Sequence, residues 1–329
     1  MSTVMTVTGP VAPEKLGRVL VHEHVLVTYP GAELDPTDQW DRSACVETAV
    51  ARMLELKEHG VATFVDAGPG DIGRDPELLV EVAERSGMQI VCATGFYHER
   101  IGVPYYWRNR TIEELAELFL HEIEQGVGGT SVRPGVIKIA SFDPPGEHDR
   151  KVIAGAAIAA RESGLPLISH CENSRGGDIQ QAILAEHGVD LRRCLIGHQD
   201  QETDLENIKA LADRGSFVGI DRIGYEILAP EDHRADFIAA LIEAGYTDRL
   251  CLSQDHMCCL RSARFPYPIP AEVRDFWESV EPMVYEQMFR RTHTYMFTDF
   301  FPKLRDRGVD AGTIDRILTD NPRRLLAGE

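Results

Sequence analysis

The sequence predicts an α/β fold, a (β/α)8 TIM barrel. Residues 1–329 form a single domain, with extra C-terminal helices and a long loop after strand 8. Three observations predict it. Eight short apolar runs recur along the chain, they end in polar residues, and amphipathic stretches separate them. Strands alternating with helices in this number are the signature of such a barrel, and an open doubly wound sheet is the alternative. No repeat, low-complexity tract or Gly/Ser linker marks a domain boundary.

The runs, in order, are VLVHEHVLV (19–27), VATFVDAG (61–68), IVCATGFY (90–97), GVIKIA (135–140), LPLISHCE (165–172), CLIGHQD (194–200), FVGIDR (217–222) and RLCLSQD (249–255). Continuous apolar runs of this length suit parallel strands covered on both faces. Between them the patterning predicts helices over 44–59, 76–86, 111–126, 150–163, 177–187, 203–214 and 232–244. TIEELAELFLHEIEQG carries the clearest punctuation: Thr111 as N-cap, Glu114 completing a capping box, and Gly126 as the stop. From about 283 onward the chain reads as further helices, which Asn321-Pro322 is expected to break near the end.

Composition narrows the function. The chain is 43% hydrophobic with a formal net charge of -19, which argues against nucleic acid and anionic membrane as partners, since both need basic patches. The opening MSTVMTVTGPVAP has no basic stretch followed by an apolar core, and no run is long enough to span a bilayer. Seven cysteines without framework spacing suggest reduced thiols and a cytoplasmic location.

In barrels of this kind the chemistry sits at the C-terminal strand ends. Reading those ends gives His22 and His24 on strand 1, Lys138 on strand 4, His170 on strand 5, His198 on strand 6 and Asp255 on strand 8. A strand alternates faces, so His22 and His24 point one way and Glu23 the other. A lone core histidine needs no ligand. Four at equivalent positions would leave many ring nitrogens to satisfy, at about 1–3 kcal/mol for each orphan. Imidazole with carboxylate suits zinc or a similar divalent ion. Lys138 is the odd member. An ammonium about 4 Å from a dication is repelled by roughly 8 kcal/mol at an effective dielectric near 20. Either Lys138 is a Schiff-base lysine of a lyase and the metal idea is wrong, or its amine has become an anion.

HEH, IKIA, SH, IGHQD and SQD on strands 1, 4, 5, 6 and 8, together with DIGRDPELL (71–79), ATGFY (93–97) and DNPRRLL (320–326), resemble the phosphotriesterase family of the amidohydrolase superfamily. The resemblance implies two divalent metal ions, zinc foremost, with cobalt, iron and manganese as alternatives. They would be bridged by a carboxylated Lys138 and a hydroxide. His22, His24 and Asp255 would hold one ion, and His170 and His198 the other. The hydroxide would attack the scissile group while Asp255 carries the proton to the leaving alkoxide.

Within the family the chain looks closest to the phosphotriesterase-like lactonases. Tyr97 falls where they place a tyrosine beside the hydroxide, Arg222 matches their DR motif, and Cys258-Cys259 matches the start of their strand-8 loop. Arg222 is expected either to contact substrate or to pair with Asp200 across the mouth. The loop 260–282 departs from the family. Phe265, Tyr267, Phe276 and Trp277 could line an acyl pocket or pack as a lid, and Arg261 and Arg264 could meet an anionic substrate. Tyr105, Tyr106 and Trp107 fall where the family supports a homodimer. The expected activity is hydrolysis of acyl-homoserine or other γ- or δ-lactones, with promiscuous phosphotriesterase activity. Hydrolysis of another ester, amide or organophosphate is the alternative within the class.

Overall fold

A computed structural model describes residues 3–262 and 271–328, without the side chains of residues 289 and 290. The predicted strands all form: β1 (Arg18–Thr28), β2 (Val61–Asp66), β3 (Gln89–Gly95), β4 (Val136–Ser141), β5 (Leu167–Cys171), β6 (Cys194–Ile196), β7 (Phe217–Ile220) and β8 (Leu250–Leu252). A short strand, β9 (Met257–Arg261), follows β8 and pairs parallel with β1, with Met257 opposite His24. The hydrogen-bonded order β8-β7-β6-β5-β4-β3-β2-β1-β9 is parallel throughout. β8 and β9 are two halves of one eighth strand, which bends at Asp255 (φ 51°).

The helices between strands are α1 (Arg42–Glu58), α2 (Pro76–Ser86), α3 (Ile112–Gln125), α4 (Glu147–Ser163), α5 (Gly177–Glu186), α6 (Leu205–Asp213) and α7 (Glu231–Glu243). Their starts follow capping chemistry. Asp41 accepts from Ala44 N, Asp75 accepts from Leu78 N, and Thr111 with Glu114 forms the predicted box before α3. Inside the barrel, Val19, Val21, Val65, Val91, Val136, Ile168 and Phe217 fill the lower layers, and Leu325 and Leu326 join them.

Three features differ from expectation. Val4–Thr6 and Gly9–Val11 form an antiparallel hairpin ahead of the barrel. The segment 260–282 is not all loop, because it begins in β9 and enters α8 (Arg274–Tyr285). After α9 (Phe301–Asp306), α10 (Ala311–Ala327) runs through Pro322 unbroken. There Asn321 donates to the carbonyls of Thr247 and Leu250, and the buried Leu318, Leu325 and Leu326 hold the helix in place despite the lost backbone bond. No helix among the described residues is long and apolar enough to cross a membrane. All seven cysteines are free thiols.

β1 does the most to place the site. Val21 belongs to the inner core, yet His22 also faces the barrel interior, which strict alternation forbids. The β1–β2 register shifts between Leu20 and Glu23, and this irregularity re-aims the histidines. Glu23 then closes the barrel. Its fully buried carboxylate accepts from Ser253 Oγ (2.7 Å), Gln254 N (2.8 Å) and His256 N (2.9 Å). Alongside it, Asp255 N donates to His22 O and His24 N to His256 O. Replacing Glu23 by Ala strands three donors in a dry interior, so Glu23→Ala is expected to lower unfolding stability by about 3 kcal/mol or more. Urea denaturation measures this, and an unchanged midpoint would contradict the closure role.

Candidate metal centre and active site

The strand ends bring all six sequence-selected donors together. His22, His24, Lys138, His170 and His198 are each at most 6% exposed. Lys138 Nζ lies 2.7 Å from His22 Nε2, and His170 Nδ1 lies 2.8 Å from His198 Nε2. Asp255 bridges the cluster: Oδ1 is 3.0 Å from His24 Nε2 and 3.5 Å from His22 Nε2, and Oδ2 is 3.6 Å from His198 Nε2. The backbone is shaped for this convergence. A side chain at Gly95 (φ 113°) would put its Cβ 2.0 Å from the Lys138 carbonyl, and one at Gly197 would crowd both Ser169 O and Asp221 Oδ2.

Carboxylates hold the rear nitrogens. Asp221, completely buried, accepts from His22 Nδ1 (2.9 Å), His198 Nδ1 (2.8 Å) and His198 N (2.7 Å). Glu172 Oε2 accepts from His170 Nε2 at 2.8 Å. An ionised carboxylate only accepts, so each of these ring nitrogens carries a hydrogen. Burial would raise the Asp221 carboxyl, but the His198 and His22 rings and their hydrogen bonds hold it well below the usual range. Burial also pushes His22 down to about 4 and lowers His170 and His198. The rings are therefore neutral at ordinary pH. His170 Nδ1 and His198 Nε2 are left as bare lone pairs, and His22 Nε2 faces Lys138 Nζ at 2.7 Å.

That arrangement needs a cation. The lone pairs of His170 Nδ1 and His198 Nε2 face each other at 2.8 Å with no hydrogen available between them. Nitrogens and a carboxylate oxygen aimed at common points, with rear atoms fixed, are a donor set and outer support that fit a divalent metal ion. His22, His198 and Asp255 already converge closely enough to share one ion, and so do His98, His170 and Glu172.

A cavity of about 520 Å³ opens above these donors. Tyr97 lines it, with its hydroxyl 3.4 Å from His170 Nε2, and burial raises the phenol well above its usual value. Arg222 also lines it, but its guanidinium turns to Asp255 (Nε to Oδ2, 3.0 Å). The expected Arg222–Asp200 ion pair does not form. Asp200 accepts the backbone N–H of Arg222 and pairs instead with Arg234 at 2.9 Å. Trp277 lines the cavity, whereas Phe276 does not and is 66% exposed, because α8 presents only one face to the barrel mouth. Met257, rather than Cys258, faces the cavity from β9. Cys258 and Cys259 pack on the outer core, with Cys259 Sγ 3.5 Å from Cys45 O. Arg261 is paired with Asp38 at 2.8 Å and does not line the cavity. Arg264, Phe265 and Tyr267 lie outside the described residues.

The model of the phosphotriesterase family matches residues 2–326. The chain belongs to that family. An aryldialkylphosphatase of Saccharolobus solfataricus is 33% identical over 315 residues, covering 95% of each chain. The solved structure of an organophosphorus hydrolase from Deinococcus radiodurans superposes with a TM-score of 0.89 at 34% identity, covering 99% of this chain and 97% of that one. A mutant PTE-like lactonase from the same organism gives 0.89 at 33% identity, covering 98% and 100%. As a phosphotriesterase-family member the chain is a hydrolase.

Sequence reading missed Asp221, Glu172 and Glu23 as site-building acids. Asp221 stands one residue before Arg222 in the motif GIDR, and Glu172 two after His170. The strand-end reasoning that found the histidines would have found both acids. Asp221→Asn keeps the shape but presents an N–H₂ to one of two imidazoles, turning its lone pair away from the site. It is expected to weaken zinc or cobalt binding by about 10–100-fold, measured by equilibrium dialysis against a competing chelator.

Proposed function

We propose that this phosphotriesterase-family hydrolase opens lactone rings, with slow phosphotriester hydrolysis on the same site. One observation carries the reading. Above a polar floor of imidazoles and carboxylates, the cavity wall is apolar, with Val27, Ile72, Ile101, Ile227, Leu228 and Met257 facing it. A compact electrophile at the floor with an acyl or alkyl chain along that wall fits such a partition. The lactonase and organophosphate hydrolase among the similar structures support it.

In this reading His22, His24 and Asp255 would hold one divalent ion and His170 and His198 the other, zinc first among the candidates, and Lys138 would serve both once carboxylated. Bound ions of this kind supply hydroxide at neutral pH and polarise the scissile carbonyl. The protein does the rest. Asp255 takes the proton of the attacking water and returns it to the leaving alkoxide. Burial opposes its ionisation, but the hydrogen bond from His24 and the Arg222 guanidinium hold its carboxyl well below the usual range. A weakly basic carboxylate of that kind gives its proton up readily. Arg222 fixes the carboxylate's orientation, and the Tyr97 hydroxyl stands beside the reacting carbonyl. The exposed Tyr105 and Tyr106, at 82% and 62%, suit contact with a second copy of the chain, as the family resemblance implies.

A panel of acyl-homoserine lactones, simple γ- and δ-lactones and paraoxon on metal-loaded enzyme tests the activity. Turnover of lactones well above paraoxon is expected. A flat response to every lactone would turn the reading to other esters and amides, and borohydride trapping of a carbonyl ligand would point to a Schiff base at Lys138. Asp255→Asn should keep most bound metal and lose about 100-fold or more in kcat. Near-wild-type turnover would remove Asp255 as proton carrier. Burial pulls the Lys138 amine down to about 8. The neutral form, which alone adds carbon dioxide with loss of a proton, therefore predominates above that pH. Reactivation of chelator-stripped enzyme by zinc should need bicarbonate and run faster at about pH 8.5 than at about pH 6.5. Bicarbonate-independent recovery would refute the carbamate.

A further inference from the structure

Two arginines line the catalytic cavity, and they are in opposite situations. Arg222 is committed to Asp255. Arg100 makes no hydrogen bond or ion pair with any described residue. Its guanidinium carbon sits over the Phe142 ring, 3.7 Å from the centroid, a cation–π contact that uses none of its N–H donors. The nearby acids are engaged elsewhere. Glu99 accepts from His148 N and Asp149 N, Asp71 accepts from Tyr97 N and Val103 N, and Glu172 holds His170. The stretch 263–270 contains Arg264 and no acid at all. Arg100 is thus an exposed cation at the cavity mouth that no described carboxylate neutralises.

We infer that Arg100 binds an oxyanion, a carboxylate above all, at the far end of the substrate. The proposal rests on the lactonase reading and names the substrate class within it, an acid-tailed lactone. Arg100 at the mouth is linked to the donors through a chain of ring contacts. Phe142 under it is 4.6 Å from the His98 ring, and His98 is 5.8 Å from His170. A short chain along Ile101 and Tyr29 spans that interval, since both residues line the cavity with Arg100. The tail ends there. Tyr29, Arg100 and Ile101 also line a second groove of about 490 Å³. The anion-binding role expected of Arg261 thus moves to Arg100, because Arg261 is neutralised by Asp38.

The test uses holoenzyme and a γ-lactone whose short side chain ends either in a carboxylate or in its methyl ester. Wild type should show a lower KM for the acid. Arg100→Ala should raise the acid-to-ester KM ratio by about tenfold, with kcat moving less than KM, and Arg100→Lys should recover part of the loss. Equal KM values for acid and ester in wild type, or an Arg100→Ala shift common to both, would overturn the proposal and leave lactonase activity intact. If neither lactone is opened, the functional reading fails separately. The ring-opened hydroxy diacid then decides by thermal shift: stabilisation of wild type beyond Arg100→Ala supports the oxyanion site, and equal stabilisation overturns it.

Discussion

Asp221 holds two imidazoles by their rear nitrogens, and most of the site's chemistry depends on those hydrogen bonds. A neutral imidazole has one N–H and one lone pair, so fixing the first aims the second. Asp221 does this for His22 and His198 from a position with no solvent exposure, and Glu172 does it for His170. The outcome is a set of lone pairs too close to one another to be comfortable without a positive charge between them. Gly197 and Gly219 leave room for the carboxylate, since a Cβ at either would come within 3 Å of Asp221 Oδ2.

The same economy joins barrel closure to site geometry. Strand β1 carries His22 and His24 on one side and Glu23 on the other, and Glu23 gathers three donors from the bend of the eighth strand. That bend presents Asp255, whose positive φ is one of the few among non-glycine residues here, and His198 is another. Strained backbone at two of the converging donors is a cost that the surrounding hydrogen bonds sustain, as is common where chemistry is done. The first and last barrel strands are therefore tied together by the residues that flank the donors.

Much of this was legible in the sequence. Strand and helix positions followed from the alternation of apolar runs and amphipathic stretches, and the capping box at Thr111 and Glu114 was readable from spacing alone. The six residues that converge at the barrel mouth could be picked out because polar residues at strand ends stand out against apolar strands. The errors have a common origin. An Asp200 partner was one of two alternatives for Arg222, an anionic ligand was one for Arg261, and Cys258 was placed in the cavity. Each depends on which way a side chain turns at a loop or an irregular strand, and periodicity carries no such information there. Pro322 was read as a break by local rule, and tertiary anchoring of Asn321 overrode it.

By itself the sequence determined the barrel, the order of its strands and which residues reach its mouth. These follow from local patterning and from a topology that puts every strand's C-terminal end on one face. Only the tertiary structure decided which nitrogens are bare, which arginine is paired and which one faces the cavity with its charge unmet. Those are properties of contacts between residues far apart in the chain, such as Asp221 with His22 or Arg261 with Asp38. No local pattern encodes a hydrogen bond across the barrel.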